Sequence, residues 1–163
     1  GYTSLYGAVP GGQAEFVRVP MAHFGPIPVP AWGPDERWLY LSDILPTAWQ
    51  AVRFADVRPG STVAVLGLGP VGQLATRVAL ETGAGRVVGI DPVLSRVETA
   101  RMHGVEGIDS TEIDDLTQAL LDTFDGRGPD AVIDAVGLEA TGGPGDKLAQ
   151  SAVGLLPDVL FTP

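Results

Sequence analysis

The strongest constraint on what this chain can fold into lies between Thr62 and Asp91, TVAVLGLGPVGQLATRVALETGAGRVVGID. The apolar run Val63-Ala64-Val65-Leu66 leads into Gly67-Leu68-Gly69-Pro70-Val71-Gly72. An Ala/Leu-rich helical pattern follows, and a second apolar run, Arg86-Val87-Val88-Gly89-Ile90, ends on Asp91. The pattern is strand, glycine turn, helix, strand and terminal acid, in that order. Each glycine has its own task. Gly67 permits the tight turn out of the strand. Gly69 lets backbone approach a pyrophosphate with no Cβ in the way, and Gly72 lets the helix pack closely on the strand. Pro70 suits the first helical turn, where its missing N–H is no loss. The free N–H groups at Val71 and Gly72, with the helix dipole, then face the phosphates. Asp91, 19 residues beyond Gly72, can accept hydrogen bonds from both ribose hydroxyls of an adenosine. This is a dinucleotide-binding fingerprint. A purely structural glycine turn, or a site for another nucleotide, is the competing reading of the glycines alone. A carboxylate at position 91 would repel a 2′-phosphate, which favours NAD over NADP. Arg96 blunts that preference if it reaches the ribose, and is a solvated arginine of the next helix if it does not.

At 163 residues the chain is one domain, with room for an appendage. Its 45% hydrophobic content suffices for a core, and its 22 Gly and 14 Pro imply many turns. Net charge is −10 with 10 Lys+Arg and no basic cluster, which argues against a nucleic-acid or anionic-membrane partner. No apolar run of about 18 residues is present, so no membrane span is expected. The start carries no signal-peptide pattern. The absence of cysteine excludes disulfides, thiolate catalysis and cysteine-bound zinc within this chain, and fits a cytoplasmic protein.

Before the fingerprint, Gln13–Pro20 alternates apolar and polar residues between Gly11-Gly12 and Pro20, and reads as a strand. Residues 9–34 are rich in Pro and Gly and read as an ordered loop or linker. Leu41-Ser42-Asp43 opens a helix to about Ala55, with Ser42 as N-cap and Trp49, Val52 and Phe54 as its apolar contacts. Beyond Asp91, a helix is expected over Pro92–His103 with Gly104 ending it, then a very short strand at Gly107–Asp109. Thr111 and Asp114 resemble a capping pair for a helix over Glu112–Phe124. After the turn Asp125–Pro129 comes a clear strand at Ala131–Ala135 with its exit loop Val136-Gly137. Gly142–Gly145 reads as flexible, and Asp146–Leu156 as a last short helix.

Strands alternating with helices imply an α/β fold, a Rossmann-type parallel sheet with helices on both faces. A complete sheet of this kind has six strands, whereas four are visible here, so the domain is expected to be incomplete. Residues 1–40 read as a separate preceding segment and 41–163 as a partial nucleotide-binding domain.

Taken together, these residues resemble the zinc-dependent medium-chain alcohol dehydrogenases, and most of all the glutathione-independent formaldehyde dehydrogenase and threonine-dehydrogenase-like branch. The resemblance is carried by GGQAEFVRVP at Gly11–Pro20, LSDILPTA at Leu41–Ala48, VLGLGPVG, GIDP with its following arginine, and DAVG at Asp134–Gly137. It implies an NAD-dependent oxidoreductase in which zinc polarises a small alcohol or aldehyde. It places Asp43 where the family has its third catalytic zinc ligand and Thr47 where a side chain touches the nicotinamide. Val136 and Gly137 fall where the loop after the fourth strand lines the cofactor cleft. Read without the resemblance, Asp43 is a helix-start carboxylate and Thr47 a core or capping hydroxyl. The family's other zinc ligands, a cysteine and a histidine, have no counterpart here, and His23 and His103 read as surface histidines. The chain therefore resembles the centre of a longer enzyme, with residues 1–40 a remnant of its catalytic domain and linker and 41–163 part of its NAD-binding domain: zinc would belong to the intact parent, and the chain alone is expected to be inactive and to hold none. Self-association through an open sheet edge is expected. The alternatives are a non-catalytic nucleotide-binding or assembly module and a methyltransferase using S-adenosylmethionine. The latter is disfavoured by Val65-Leu66 where an acid usually precedes the glycine turn. A short-chain dehydrogenase is disfavoured by the lack of a Tyr-x-x-x-Lys pair.

Overall fold

A computed structural model describes residues 12–137, which divide into two units, residues 12–31 and residues 32–137. The expected features at 142–145 and 146–156 lie outside the described residues.

Residues 12–31 form neither helix nor strand. The backbone turns at Pro20–Phe24, closed by bonds from the Phe24 and Gly25 N–H groups to the Met21 carbonyl at 2.9 and 3.2 Å. The strand expected at Gln13–Pro20 is therefore not formed. Alternation sorts side chains onto two faces, but a strand also needs a ladder partner and a surface to cover one face. Among the described residues this segment has neither, and Phe16 is 90% exposed. His23 lies on the turn, exposed.

The second unit is built on four parallel strands: β1 (Thr62–Leu66), β2 (Arg86–Asp91), β3 (Glu106–Asp109) and β4 (Ala131–Asp134), in spatial order β3-β2-β1-β4. This is the strand order of a Rossmann half-sheet with the first strand of the second half added. The expected strands at 62–66, 86–90, 107–109 and 131–135 are all present, to within a residue at their ends. Among the described residues six helical segments accompany them: a 3₁₀ helix over Asp35–Ser42, then α1 (Ile44–Phe54), α2 (Pro70–Glu81), α3 (Leu94–Arg101), a short 3₁₀ helix over Ser110–Glu112, and α4 (Leu116–Thr123).

β1 shows why the sheet is covered on both sides. Val63 and Val65 point to one face and pack with Ala48 and Val52 of α1, Ala75 and Ala79 of α2, and Val97 and Ala100 of α3. Ala64 and Leu66 point to the other, where Val88, Ile90 and Phe124 gather with Leu116 and Leu120 of α4. A strand buried on both faces must be apolar at consecutive positions, which is the pattern that marks it in sequence. The parallel crossovers through α2 and α3 share a face, and α4 lies on the opposite one.

Several helix starts differ from expectation. Ser42 does not cap α1; it ends the 3₁₀ helix, and Asp43 occupies the cap position with φ −147° and ψ −63°. α1 buries Ala48 and Val52, whereas Trp49 and Phe54 stand 55% and 80% exposed. α3 starts at Leu94 instead of Pro92, because the Asp91 carboxylate takes the Val93 N–H at 2.8 Å and holds the chain in a turn first. The pair Thr111 and Asp114 does not cap α4. Asp109 accepts from both the Thr111 N–H and its hydroxyl, closing a short 3₁₀ turn, and Asp115 caps α4 through the Gln118 N–H at 3.0 Å.

Two polar clasps fix the register. Arg86, at the start of β2, forms a two-pronged ion pair with Glu106 at 2.8 and 2.7 Å, donates to the Thr123 carbonyl and lies over the Phe124 ring. At the start of β1, Asp130 accepts from the Thr62 N–H at 2.8 Å and hydroxyl at 2.9 Å, and its own N–H donates back to that hydroxyl at 2.9 Å. The Thr62 N–H, then its hydroxyl, and in addition Arg127, hold the Asp130 carboxyl below the usual carboxylate range.

A group whose acidity is raised by folding favours the folded state once ionised, and that contribution disappears as pH falls through its folded pKa. The β1–β4 clasp is therefore expected to be fully effective at neutral pH and to weaken below about pH 4, where carboxylates protonate. Asp130→Asn should flatten the acid limb of a urea-midpoint-versus-pH curve and leave the neutral-to-alkaline limb parallel to the parent's. An unchanged acid limb would show that the clasp contributes nothing to acid sensitivity.

Candidate functional site

The candidate site forms where β1 ends. Gly67 turns the chain with φ +84°, a left-handed conformation that glycine adopts without strain. A Cβ there would also sit 3.0 Å from the Ala135 carbonyl oxygen and 3.1 Å from Val136 Cγ2, so the exit of β4 presses directly on the turn. Gly72 is required for a different reason. A Cβ on it would lie 1.8 Å from the Gly67 carbonyl oxygen, an impossible separation, so the first turn of α2 can cross β1 only with hydrogen at that position. Gly69 has neither constraint. Its backbone is ordinary extended chain, φ −66° and ψ −172°, and a Cβ there would meet nothing within 4 Å.

α2 begins at Pro70, and its first intrahelical bond runs from the Gln73 N–H to the Gly69 carbonyl at 2.9 Å. The N–H groups of Val71 and Gly72 precede that bond and have no partner within the helix. They lie beside the open face of Gly69, at the positive end of the helix dipole.

The turn is tied to β2 by two successive bonds. The Gly67 N–H donates to the Ile90 carbonyl at 2.8 Å, and the Leu68 N–H donates to Asp91 Oδ2 at 2.7 Å. Asp91 is only 3% exposed. A buried carboxylate persists only when donors surround it, and Asp91 has three: the Leu68 and Val93 N–H groups, and Arg96 Nη1 at 3.5 Å. The Leu68 side chain is buried over β2, where a Cβ on Gly89 would lie 2.7 Å from its Cδ2.

A groove of 340 Å³ opens beside Gly69 and Pro70 between α2 and α3, with Tyr40 of the 3₁₀ helix at its wall. Arg77 and Arg96 line it and no carboxylate does, so this face is locally cationic on a chain of net charge −10. Local charge, and not the total, decides what an anionic ligand meets.

The structure thus brings Gly67, Gly69, Pro70, Val71, Gly72, Asp91 and Arg96 together, with Val136 against Gly67. Val136 N–H donates to Asp134 Oδ1 at 3.0 Å; Val136 and Gly137 are exposed. Asp43 and Thr47 lie at the start of α1 and neither lines the groove. The Thr47 hydroxyl donates to Asp43 Oδ1 at 2.9 Å, and its N–H to the Asp43 carbonyl at 2.9 Å. Among the described residues no three His, Asp or Glu side chains gather as a metal site would require. Zinc needs about three protein ligands, so the described residues do not fit it. Tyr40, Gln73 and Arg77 were not singled out by sequence, because each reads as ordinary helix composition.

Residues 70–148 match the family model described as zinc-binding dehydrogenase. A zinc-type alcohol dehydrogenase-like protein of Schizosaccharomyces pombe is 39% identical over 97% of this chain and 37% of its own length. A glutathione-independent formaldehyde dehydrogenase of Pseudomonas aeruginosa is 38% identical over 87% of this chain and 36% of its own. By its family-model match the chain carries the sequence of a zinc-binding dehydrogenase domain over residues 70–148. Among solved structures, an alcohol dehydrogenase from Thermus sp. ATN1 matches with a TM-score of 0.72 and 34% identity, over 86% of this chain and 39% of that one. The chain spans little more than a third of the length of these relatives.

The two inner glycines separate folding from binding. Gly72→Ala is expected to destabilise the chain by about 3 kcal/mol, the upper range for overpacking, because the clash is with backbone. Gly69→Ala should leave the unfolding midpoint within about 0.5 kcal/mol of the parent, as for a surface substitution, and abolish dinucleotide binding by calorimetry. A Gly69→Ala chain that binds as well as the parent would remove the pyrophosphate from that face.

Proposed function

We propose that the chain binds NAD across its glycine turn and serves as the cofactor-holding part of an oxidoreductase acting on an alcohol or aldehyde. The observation that carries this is the open face of Gly69 at the N-terminus of α2, in a turn bonded to the carboxylate that ends β2. A pyrophosphate placed there meets the N–H groups of Val71 and Gly72 and a helix dipole of favourable sign. Arg77 and Arg96 in the adjoining groove add positive charge. Asp91 retains acceptor capacity beyond its three internal donors, which the hydroxyls of an adenosine ribose would take up. A 2′-phosphate would approach the same carboxylate, which opposes NADP, and Arg96 only partly offsets that.

Bound there, nicotinamide supplies the acceptance or donation of hydride. The chain's own part is to bind and orient. Gly67 and Val136 close the floor under the turn, Val136 and Gly137 face the nicotinamide end, and Thr47 is assigned to touch that ring. The substrate class follows from the relatives, whose names are those of alcohol and formaldehyde dehydrogenases. Asp43 is assigned as a metal ligand only within an assembly that supplies further ligands, and no catalytic step is assigned to it here.

Among the described residues no helix is long and apolar enough to cross a membrane. β4 is an edge of the described sheet, with Val132 and Val136 about half exposed. An unpaired edge beside apolar side chains recruits another strand, and we assign to it a role in self-association.

Calorimetry is expected to show tighter binding of NAD than of NADP. Asp91→Asn should weaken NAD by about 1–3 kcal/mol, the cost of a lost charged hydrogen bond. Tighter NADP binding would reverse the cofactor assignment. Metal analysis of the purified, chelator-treated and zinc-resupplied chain should find no stoichiometric zinc; a full equivalent would mean that ligands other than Asp43 are at work. Light scattering should show mass rising with concentration, and a strict monomer at high concentration would dispose of the edge-pairing role.

A further inference from the structure

Gln73 lies just beyond the glycine fingerprint and has no part in the binding scheme above. Its amide nitrogen donates to two carbonyls, that of Leu68 at 3.2 Å and that of Arg96 at 2.7 Å. Two acceptors around one nitrogen determine which way the amide faces, because the flipped amide would set its oxygen against both. The Leu68 N–H donates in turn to Asp91 Oδ2 at 2.7 Å, and Arg96 Nη1 reaches the same oxygen at 3.5 Å. These contacts close a ring from Asp91 to Leu68, to Gln73, to Arg96 and back to Asp91. Its members come from the end of β2, the glycine turn, α2 and α3, and three of them line the groove.

We propose that Gln73 is a positioning residue for nucleotide recognition, holding the Asp91 carboxylate and the Arg96 guanidinium in fixed relation to the glycine turn. The proposal rests on the NAD reading and deepens it. A carboxylate offers about four acceptor positions, and protein donors already occupy both Asp91 oxygens. The directions left for ribose hydroxyls are set only if those donors are held. Gln73 grips Leu68 by its carbonyl while Asp91 grips the same residue by its N–H. Its second bond grips the first turn of α3, which carries the guanidinium. Removing one amide thus loosens both groups that face the ribose.

The amide is also maintained at a cost. Gln73 Oε1 is buried with no hydrogen-bond partner, as is Arg77 Nε one helical turn further on. A buried acceptor without a donor opposes folding, so an aliphatic residue would serve packing better. Violations of this kind concentrate at functional sites.

The test is a double-mutant cycle on the whole 163-residue chain, combining Gln73→Met, of similar length but without the amide, with Asp91→Asn. NAD affinity is read by calorimetry and the Leu68 amide by hydrogen exchange without ligand. Gln73→Met is expected to weaken NAD about five- to tenfold, the scale of one net hydrogen bond. In the Asp91→Asn background the same change should cost less than about twofold, since groups in one network are not additive. The Leu68 amide should exchange faster in Gln73→Met while that of Ile133 on β4 keeps its rate. Gln73→Glu, which sets a charge against two carbonyls, should weaken NAD further than Gln73→Met. If the parent chain binds no NAD, the cofactor reading fails and the proposal with it. If the parent binds NAD but the cycle is additive or Leu68 exchange is unchanged, the cofactor reading stands and the role of Gln73 is overturned. Loss of folding in both Gln73 variants would assign the ring to stability alone and likewise overturn it.

Discussion

The bond from the Leu68 N–H to the Asp91 carboxylate is the contact on which the rest of this structure depends. The parallel ladder between β1 and β2 ends with the Gly67 N–H on the Ile90 carbonyl. At the next residue a side chain takes over from the main chain, and Asp91 Oδ2 receives the Leu68 N–H at 2.7 Å. The turn is thereby held as an extension of the sheet, although its own conformation is no longer extended. The same carboxylate takes the Val93 N–H and so sets where α3 begins. One buried charge therefore defines the end of β2, the shape of the glycine turn and the start of the following helix. Its burial is tolerated because three donors converge on it.

What could be read from sequence was what depends on local steric or periodic requirements. Gly67 and Gly72 are demanded by a positive φ and by a backbone oxygen 1.8 Å from a would-be Cβ, and no other residue type meets those demands. The consecutive burial of Val63, Ala64 and Val65 is likewise the direct reason for an uninterrupted apolar run. Sequence pattern is ambiguous where several residues compete for one role. Thr111, Asp114 and Asp115 are all plausible caps, and the choice fell to Asp115 because Asp109 had already taken the Thr111 N–H and hydroxyl. The alternation in Gln13–Pro20 is real, but a strand is a relation between two segments and sequence shows only one of them. Gln73 left no signal, since its partners are main-chain carbonyls, which every residue has.

The candidate site divides along similar lines. Its glycine-turn half is composed of backbone geometry and a helix start, both of which glycines and a proline announce. Its charged wall is different: Arg77 and Arg96 come together because α2 and α3 share a face of the sheet. The pairing of Asp43 with Thr47 is a local helix-start contact, and by itself says only that the hydroxyl orients the carboxylate.

The clasp between Thr62 and Asp130 has a consequence for the order of assembly. It joins residues 68 apart, whereas Leu68 and Asp91 are 23 apart. Closing the longer span costs about 1 kcal/mol more in chain entropy. β1, α2 and β2, with the glycine turn between them, can thus assemble as a local unit, and β4 joins an edge already formed. On a ribosome, which delivers the chain from its N-terminus, that unit is complete in length roughly 40 residues before Asp130 emerges, a few seconds at ordinary elongation rates. The glycine turn can then take its shape before β4 arrives, and the contact of Val136 on Gly67 is added to a turn already held by Asp91.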